Sequence, residues 1–487
     1  MAKKSSDNMA TIVSLCKRRG FIFQSSEIYG GLNGCWDYGP LGVELLNNVK
    51  QAWWRTMTLR PDVEGVDAAI LMHPRVWEAS GHVENFSDPM VDCKQCRARF
   101  RLDNLLEELS LKKKKSILRA LEPETYAGQQ QDQRILDDFA ARTVDEDAMA
   151  AIVREHVVCP SCGASGTFTD ARQFNLMFKT HVGPMEDTSS AVYLRPETAQ
   201  GIFVNFLNVL NSSRQRLPFG IAQIGKAFRN EITPGNFVFR TREFEQAEMQ
   251  FFVKPGTDAE WFERWKAERM AWHESLGIRE ENLRFHEHTG EELAHYAKKA
   301  FDIEYRFPFG WKEFEGIHNR TDFDLKRHQE YSGKRLEYID AASSERYIPY
   351  VIETSMGVDR TALVVLADAY REEQVEGEER VVLALHPRLS PLKAAVFPLV
   401  KKDGLPEIAA RIHEGLRKAA LPSFYDEAGS IGRRYRRQDE AGTPWCVTVD
   451  GQTNEDGTVT IRDRDTLQQA RVGADQVVTW VRERLGS

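Results

Sequence analysis

The chain has 487 residues, a formal net charge of -8, 41% hydrophobic and 28% charged residues, so two or three domains with a sizeable core are expected. That balance excludes a uniformly basic nucleic-acid coat, although local patches can still hold a polyanion. No apolar run is long enough for a bilayer, Met1-Ala2-Lys3-Lys4 lacks a signal-peptide layout, and seven cysteines is an odd count, so a cytoplasmic protein with reduced thiols and no membrane partner is expected.

Residues 11–16 read as a short helix stopped by the basic run Lys17-Arg18-Arg19-Gly20. Two glycine-rich turns follow, Tyr29-Gly30-Gly31-Leu32-Asn33-Gly34 and Asp37-Tyr38-Gly39-Pro40. From Leu41 the pattern turns helical: Leu45, Val49 and Trp53 recur at every fourth position, with Leu46 and Trp54 beside them. A strand is expected over 66–72, ending at Pro74. Such a pair suits a dimer element, and equally an ordinary buried helix and strand.

Cys93-Lys94-Gln95-Cys96 is matched by Cys159-Pro160-Ser161-Cys162, with 62 residues between Cys96 and Cys159. Two knuckles of this kind suit a tetrahedral zinc held by four thiolates. The alternative is two structural turns with free thiols. The segment between, with Lys112 to Lys115, reads as an inserted helical arm.

Pro196 falls near the start of a helix carrying Ile202, Phe203, Phe206, Leu207 and Leu210. Glu197 sits just inside that start, where it complements the helix dipole or faces a ligand. Residues 228–252, FRNEITPGNFVFRTREFEQAEMQFF, then read as a long hairpin turning at Thr233-Pro234-Gly235-Asn236. Positions two apart share a strand face. Arg229 and Glu231 therefore pair on the first run. Arg242, Phe244, Gln246, Glu248 and Gln250 line one face of the second, with Ala247, Met249 and Phe251 behind. An arginine fork suits phosphate, a phenyl face suits a base, and a carboxylate accepts from an exocyclic amine. The set describes a nucleotide cradle on an antiparallel sheet.

Residues 258–276 read as a tryptophan-rich packing helix, and in residues 311–320 Glu313 and Glu315 alternate with Phe314. In residues 351–360, Glu353 and Ser355 share a strand face. Gly357 then allows a sharp exit into a helix whose first turn carries Arg360, where backbone N–H groups already favour phosphate. Residues 371–380 are polar and acidic and read as a domain boundary. Beyond it, strands alternating with helices describe a small α/β domain. The run Arg433-Arg434-Tyr435-Arg436-Arg437 suits nucleic acid through phosphate contact and stacking.

These segments resemble a known family. FRNE with REFEQAE resembles the second signature of class II aminoacyl-tRNA synthetases. GVDR at Gly357 to Arg360 resembles the third, and the segment from Leu41 to Pro74 the first, the dimer motif. The phrases DYGPLG, SGH, RPETAQG, REFEQAE and ETSMGVDR look like the homodimeric type of glycyl-tRNA synthetase. The resemblance runs from about Phe21 to the C-terminus. It implies an α+β fold: an antiparallel sheet flanked by helices, an inserted zinc-knuckle arm and a C-terminal anticodon-binding domain. The expected division is 1–92 and 166–370 for the catalytic core, 93–165 for the arm and 379–487 for the anticodon-binding domain.

The resemblance also implies roles. Arg229 would hold the α-phosphate of ATP and the glycine carboxylate, Glu231 the adenine amine, Phe244 the ring, Arg240 and Arg360 the outer phosphates. Asn230, Phe239, Thr241, Arg242, Glu243, Glu313, Phe314, Gly357, Val358 and Asp359 complete the ATP set. Arg101, Glu197, Glu245, Gln246, Ala247, Glu248, Glu353, Thr354, Ser355 and Met356, with Phe244 and Gly357, form the substrate side. Arg229, Arg360 and Glu231 carry the catalysis. ATP, Mg2+, glycine, tRNA(Gly) and a second copy of the chain are the implied partners, with Zn2+ at Cys93, Cys96, Cys159 and Cys162. Family members often carry alanine where His318 stands and leucine where Phe314 stands. The rival readings are a class II synthetase for another amino acid and a non-catalytic nucleic-acid-binding relative.

Overall fold

The computed structural model describes residues 5–107, 109–126, 128, 131–143, 145–185, 190–290, 293–294, 296–375 and 377–486. The chain forms two compact units, one of residues 1–70, 197–227 and 236–487, the other of residues 71–196 and 228–235.

The first unit begins with α1 (Ser5–Arg19) and α2 (Pro40–Thr58). Proline opens α2, where its missing N–H costs nothing, and the four-residue period buries Leu45, Leu46, Val49 and Trp53. The strand after it, β1 (Val63–Gly65), lies earlier than expected. It pairs in parallel with β2 (Phe219–Phe228) at Val63↔Gly220. Residues 66–70 run on without strand pairing, and Pro74 opens a helix instead of closing a strand. The helix expected after Pro196 starts later and in two pieces, α3 (Ala199–Val204) and α4 (Phe206–Ser213), broken at Asn205.

The central sheet adds β3 (Glu243–Val253), α5 (Asp258–Ser275), β4 (Leu283–Glu287), β5 (Lys299–Phe307), β6 (Gly310–Thr321), α6 (Phe323–Ser332), β7 (Tyr350–Gly357) and α7 (Val358–Ala369). Its seven strands run β4-β5-β6-β7-β3-β2-β1, and the pairings from β4 through β7 to β3 are antiparallel. Ala247, Met249, Phe251, Ile352 and Met356 join Trp265, Val358 and Leu363 in one core behind the sheet. Alternation then sends Gln246, Glu248, Gln250, Glu353 and Ser355 to the front.

The expected hairpin is corrected in one respect. Its first arm ends at Phe228, so Arg229 and Glu231 sit in a loop beyond the strand, and residues 237–239 make a short 3-10 turn before β3.

The polar stretch 371–380 is not an open linker. It forms a two-stranded antiparallel ribbon, β8 (Tyr370–Val375) and β9 (Glu378–Leu383). After it come β10 (Ala394–Pro398), α8 (Leu405–Lys418), β11 (Ser423–Tyr425), α9 (Ile431–Ala441), β12 (Trp445–Val449), β13 (Thr458–Asp463), β14 (Gln469–Gly473) and α10 (Val477–Leu485). They build a five-stranded mixed sheet, β11-β10-β12-β13-β14, with its own apolar core.

In the second unit, strands Ser87–Asp92, Arg99–Arg101 and Arg172–Asn175 form a three-stranded sheet. Helices Leu111–Leu121, Asp132–Arg142 and Glu146–His156 supply Ile117, Leu118, Ile135, Phe139 and Val153 to a separate core. Among the described residues no helix is long and apolar enough to cross a membrane.

Candidate functional site

The front of the central sheet carries a buried network of acids. Gln250 on β3 donates through Nε2 to Glu248 Oε1 at 2.9 Å and to Glu353 Oε2 at 2.6 Å. Thr198 donates its hydroxyl to the other Glu248 oxygen. On β6, Arg320 reaches both Glu353 oxygens at 3.1 and 3.3 Å and grips Asp324 with Nε and Nη2 at 2.7 and 2.9 Å. His318 Nδ1 lies 2.8 Å from Glu353 Oε1. Gln200 bridges Glu197 and Asp324, and His328 bonds Gln200. Gln246 donates to Ser355 Oγ.

Charge decides what this network can do. Arg320 pairs with Glu353 and Asp324, whereas among the described residues Glu248 takes neutral donors, Thr198 and Gln250. Burial, then the neighbouring Glu353 and Glu197, push the Glu248 carboxyl well above the usual range. Burial also opposes ionisation of Glu353, but Arg320 and the His318 contact outweigh it and hold Glu353 well below the usual range. Buried acid in excess of its counter-charge is unfavourable alone and favourable once a small cation enters.

A second group stands at the start of α7. Arg360 donates Nε to Phe239 O at 3.1 Å and Nη1 to Glu313 Oε2 at 3.3 Å, with its guanidinium 4.4 Å above the Phe239 ring. Asp302, absent from the expected set, shares this face. Burial, then Glu313, raise its carboxyl to about 6, and His288 Nε2 lies 2.8 Å from it. The half-buried Arg240 side chain has no partner among the described residues.

Arg229, Asn230, Glu231 and Arg101 belong to the second unit. There Arg229 donates Nε to Pro196 O at 3.1 Å and stacks 5.4 Å from the Phe86 ring. Asn230 is tied by its backbone N–H to Leu176 O. Arg101 pairs with Asp88 and Asp103.

Several expected ligands face elsewhere. Ala247, Thr354, Met356, Val358 and Phe314 are buried, Phe314 edge-on to His273, which leaves their backbones as the available groups. Asp359 is held behind the sheet by the Tyr38 hydroxyl at 2.6 Å and the Glu245 N–H at 2.7 Å, and Glu245 itself pairs with Lys50. Thr241 caps Glu243 O, Lys226 pairs with Glu243, and Arg242 donates to Asn33 O. Phe244 is half-buried at the front edge of β3, and Gly357 closes β7 opposite Gln246. Glu313 and Glu315 do not share a face: Ile303 opposes Glu315 while Glu304 opposes Glu313, so Phe314 is an extra residue in a bulge.

In the second unit, Cys93 and Cys162 lie 3.7 Å apart, as do Cys96 and Cys159, and all four sulfurs lie within 4.8 Å of one another. Zn–S bonds of about 2.3 Å place tetrahedral ligands about 3.8 Å apart. The four cysteines fit such an ion.

In the C-terminal sheet, the arginine run is only partly available. Arg434 is buried and donates to Pro398 O and Leu399 O, and Tyr435 bonds Thr448. Arg436 and Arg437 pair with acids. Arg433 alone of the four is exposed with a side chain that has no partner among the described residues.

An antiparallel sheet with this front face, an inserted knuckle unit and a small mixed α/β unit define a class II synthetase architecture. Residues 178–369 match the tRNA synthetase class II core domain (G, H, P, S and T), and residues 393–484 match the anticodon binding domain. Residues 88–176 match glycyl-tRNA synthetase insertion domain 1. The chain is 54% identical over 485 residues to the glycine–tRNA ligase of Treponema denticola, covering 98% of this chain and 97% of that one. It is 55% identical over 479 residues to that of Caldanaerobacter subterraneus subsp. tengcongensis (98% of each chain), and 52% identical over the full length of both to that of Lysinibacillus sphaericus. The chain belongs to the glycine–tRNA ligase family.

Proposed function

We propose that this protein attaches glycine to tRNA(Gly) at the expense of ATP, in the cytoplasm, as a homodimer. The core is formed by 1–92 and 166–370, the arm by 93–165, and the anticodon end of the tRNA meets 379–487. In the first step a glycine carboxylate oxygen attacks the α-phosphorus, the bond to the pyrophosphate oxygen breaks, and glycyl-adenylate forms. In the second, the 3′ hydroxyl of the terminal adenosine attacks the glycyl carbonyl, loses its proton, and AMP leaves. The attacking carboxylate is already ionised at neutral pH, so the first step needs no general base. Rate comes from positioning and charge neutralisation.

Arg229 holds the α-phosphate beside the glycine carboxylate. Arg360 and Arg240 hold the outer phosphates, with Glu231 and Phe244 on the adenine. Glu313 would hold Mg2+, which neutralises phosphate charge when bound. Glu197, Glu248 and Glu353 take the glycine ammonium. Larger amino acids are rejected by overlap, which is easier than rejecting smaller ones. Zn2+ would sit at Cys93, Cys96, Cys159 and Cys162 as a structural ion.

The observation that carries this reading is the buried acid excess around Glu248 and Glu353, in a chain of this family. Arg229→Ala is expected to abolish glycine-dependent ATP–pyrophosphate exchange with an unchanged melting profile. Exchange at the parent rate would sink the role of Arg229. For the cysteines, elemental analysis should find about one zinc per chain, lost in Cys159→Ser/Cys162→Ser. A metal-free, fully active protein would overturn that site.

A further inference from the structure

Behind the sheet lies a buried charge cluster that the proposed chemistry does not use. Glu315 on β6 has no exposed surface. Arg269 on α5 donates to its two oxygens at 2.5 and 3.1 Å, and His273 Nε2 lies 2.5 Å from the second. The Arg269 guanidinium also stacks 4.4 Å over Trp272, and Phe314 packs edge-on against His273 at 4.6 Å. A carboxylate placed here costs several kcal/mol of desolvation unless it is fully bonded. Leucine would fill the same space without that cost, so the choice of glutamate asks for a reason.

The reason lies in strand parity. Gly316 and His318 alternate along one face of β6, and a Cβ at Gly316 would come within 2.6 Å of His318 Cε1. Counting back from them by twos, an unbulged strand would turn residue 314 to the front and residue 313 to the back. The extra residue at Phe314 reverses this. Phe314 and Glu315 both go into the buried back, and Glu313 comes forward to Arg360 Nη1 at 3.3 Å and acts on Asp302. A bulge that can slide by one residue would lose that orientation. Arg269 and His273 pin it, because only Glu315 at this register meets both donors.

We propose that Arg269 and His273 are positioning residues for the triphosphate end of the site: by gripping Glu315 they lock the β6 bulge that presents Glu313 beside Arg360. The proposal rests on the assignment of Glu313 and Arg360 to the phosphates and magnesium of ATP. Neither residue touches substrate. Their effect passes through Glu313 and should fall on ATP and magnesium, not on glycine, which is held further along the sheet at Glu353.

The test is a double-mutant cycle between His273→Asn and Glu313→Gln, read by pyrophosphate exchange with KM measured separately for ATP and glycine and with magnesium titrated. Glu313→Gln is expected to raise the ATP KM about tenfold, the loss of one charge-assisted contact. His273→Asn is expected to raise it about threefold to tenfold with the glycine KM unchanged. The double variant should be no worse than Glu313→Gln alone. Arg269→Lys, which keeps the charge and loses the fork, should behave as His273→Asn. Additive losses in the double variant, or equal losses in both KM values, would overturn the positioning role and leave a purely structural one. A normal ATP KM in Glu313→Gln would instead sink the phosphate assignment, and the positioning proposal with it. Should His273→Asn fold poorly, Arg269→Lys carries the same cycle.

Discussion

Two buried charge networks in this molecule look alike in composition and differ in closure. In the C-terminal sheet, Asp439 takes Arg380 and Arg462, each within 3.3 Å. Arg380 also donates to Glu373 and to Arg464 O, and Arg464 donates to Asp465, Gly442 O and Leu385 O. On the front of the central sheet, by contrast, Arg320 pairs with Asp324 and Glu353 while Glu248 has only neutral donors among the described residues, and the Gln250 and Gln246 Oε1 atoms have no partner among those residues. The first network is complete in the protein alone. The second is not, and the glycine ammonium is the cation we propose for it. An excess of one sign with unspent polar atoms, rather than burial or charge as such, separates a binding pocket from a structural clasp.

Breaking the closed network should cost the most stability and no specificity. Asp439→Asn leaves buried Arg462 without its carboxylate and Arg380 with Glu373 alone, which costs about 3–5 kcal/mol. Urea unfolding should report that loss, while the glycine KM of the folded fraction stays at the parent value. A shifted glycine KM at parent stability would erase the distinction.

A smaller effect sharpens it. Glu315 itself is fully paired: burial alone would raise its carboxyl, but Arg269 and then His273 hold it down at about 2. A depressed carboxylate contributes stability that is complete above the ordinary glutamate value of about 4.5 and is lost as pH falls toward 2. Melting temperatures between those limits should therefore fall less steeply in Glu315→Gln than in the parent. An identical acid limb would show that Glu315 is not held by these partners.

Much of the frame was legible in the sequence because period and composition speak directly to strands and helices. The alternation Gln246-Ala247-Glu248-Met249-Gln250-Phe251 fixes the two faces of β3, and both cysteine pairs announce one another. What was not legible depends on register. The bulge at Phe314 separates Glu313 from Glu315, which period two had put together, and only the pairing with β5 reveals it. The arginine run at 433–437 gives no sign that Arg434 is consumed by the carbonyls of Pro398 and Leu399. Arg320 and His328 were missed because Glu353 and Gln200 lie far off in sequence, and Asp324 because its link to the site runs through Arg320 and Gln200; Asp302 was missed with them. The one available signal was in β5, where Asp302 interrupts the apolar neighbours Phe301 and Ile303.

The most direct measurement is pyrophosphate exchange driven by each of the twenty amino acids, in the parent and in Glu353→Gln. Glycine alone should drive it, and its KM should rise about tenfold to a hundredfold in the variant, the value of one or two charge-assisted hydrogen bonds, with the ATP KM unchanged. Exchange driven equally by alanine or serine, or a glycine KM indifferent to Glu353, would contradict the assignment of the acid pocket to the glycine ammonium.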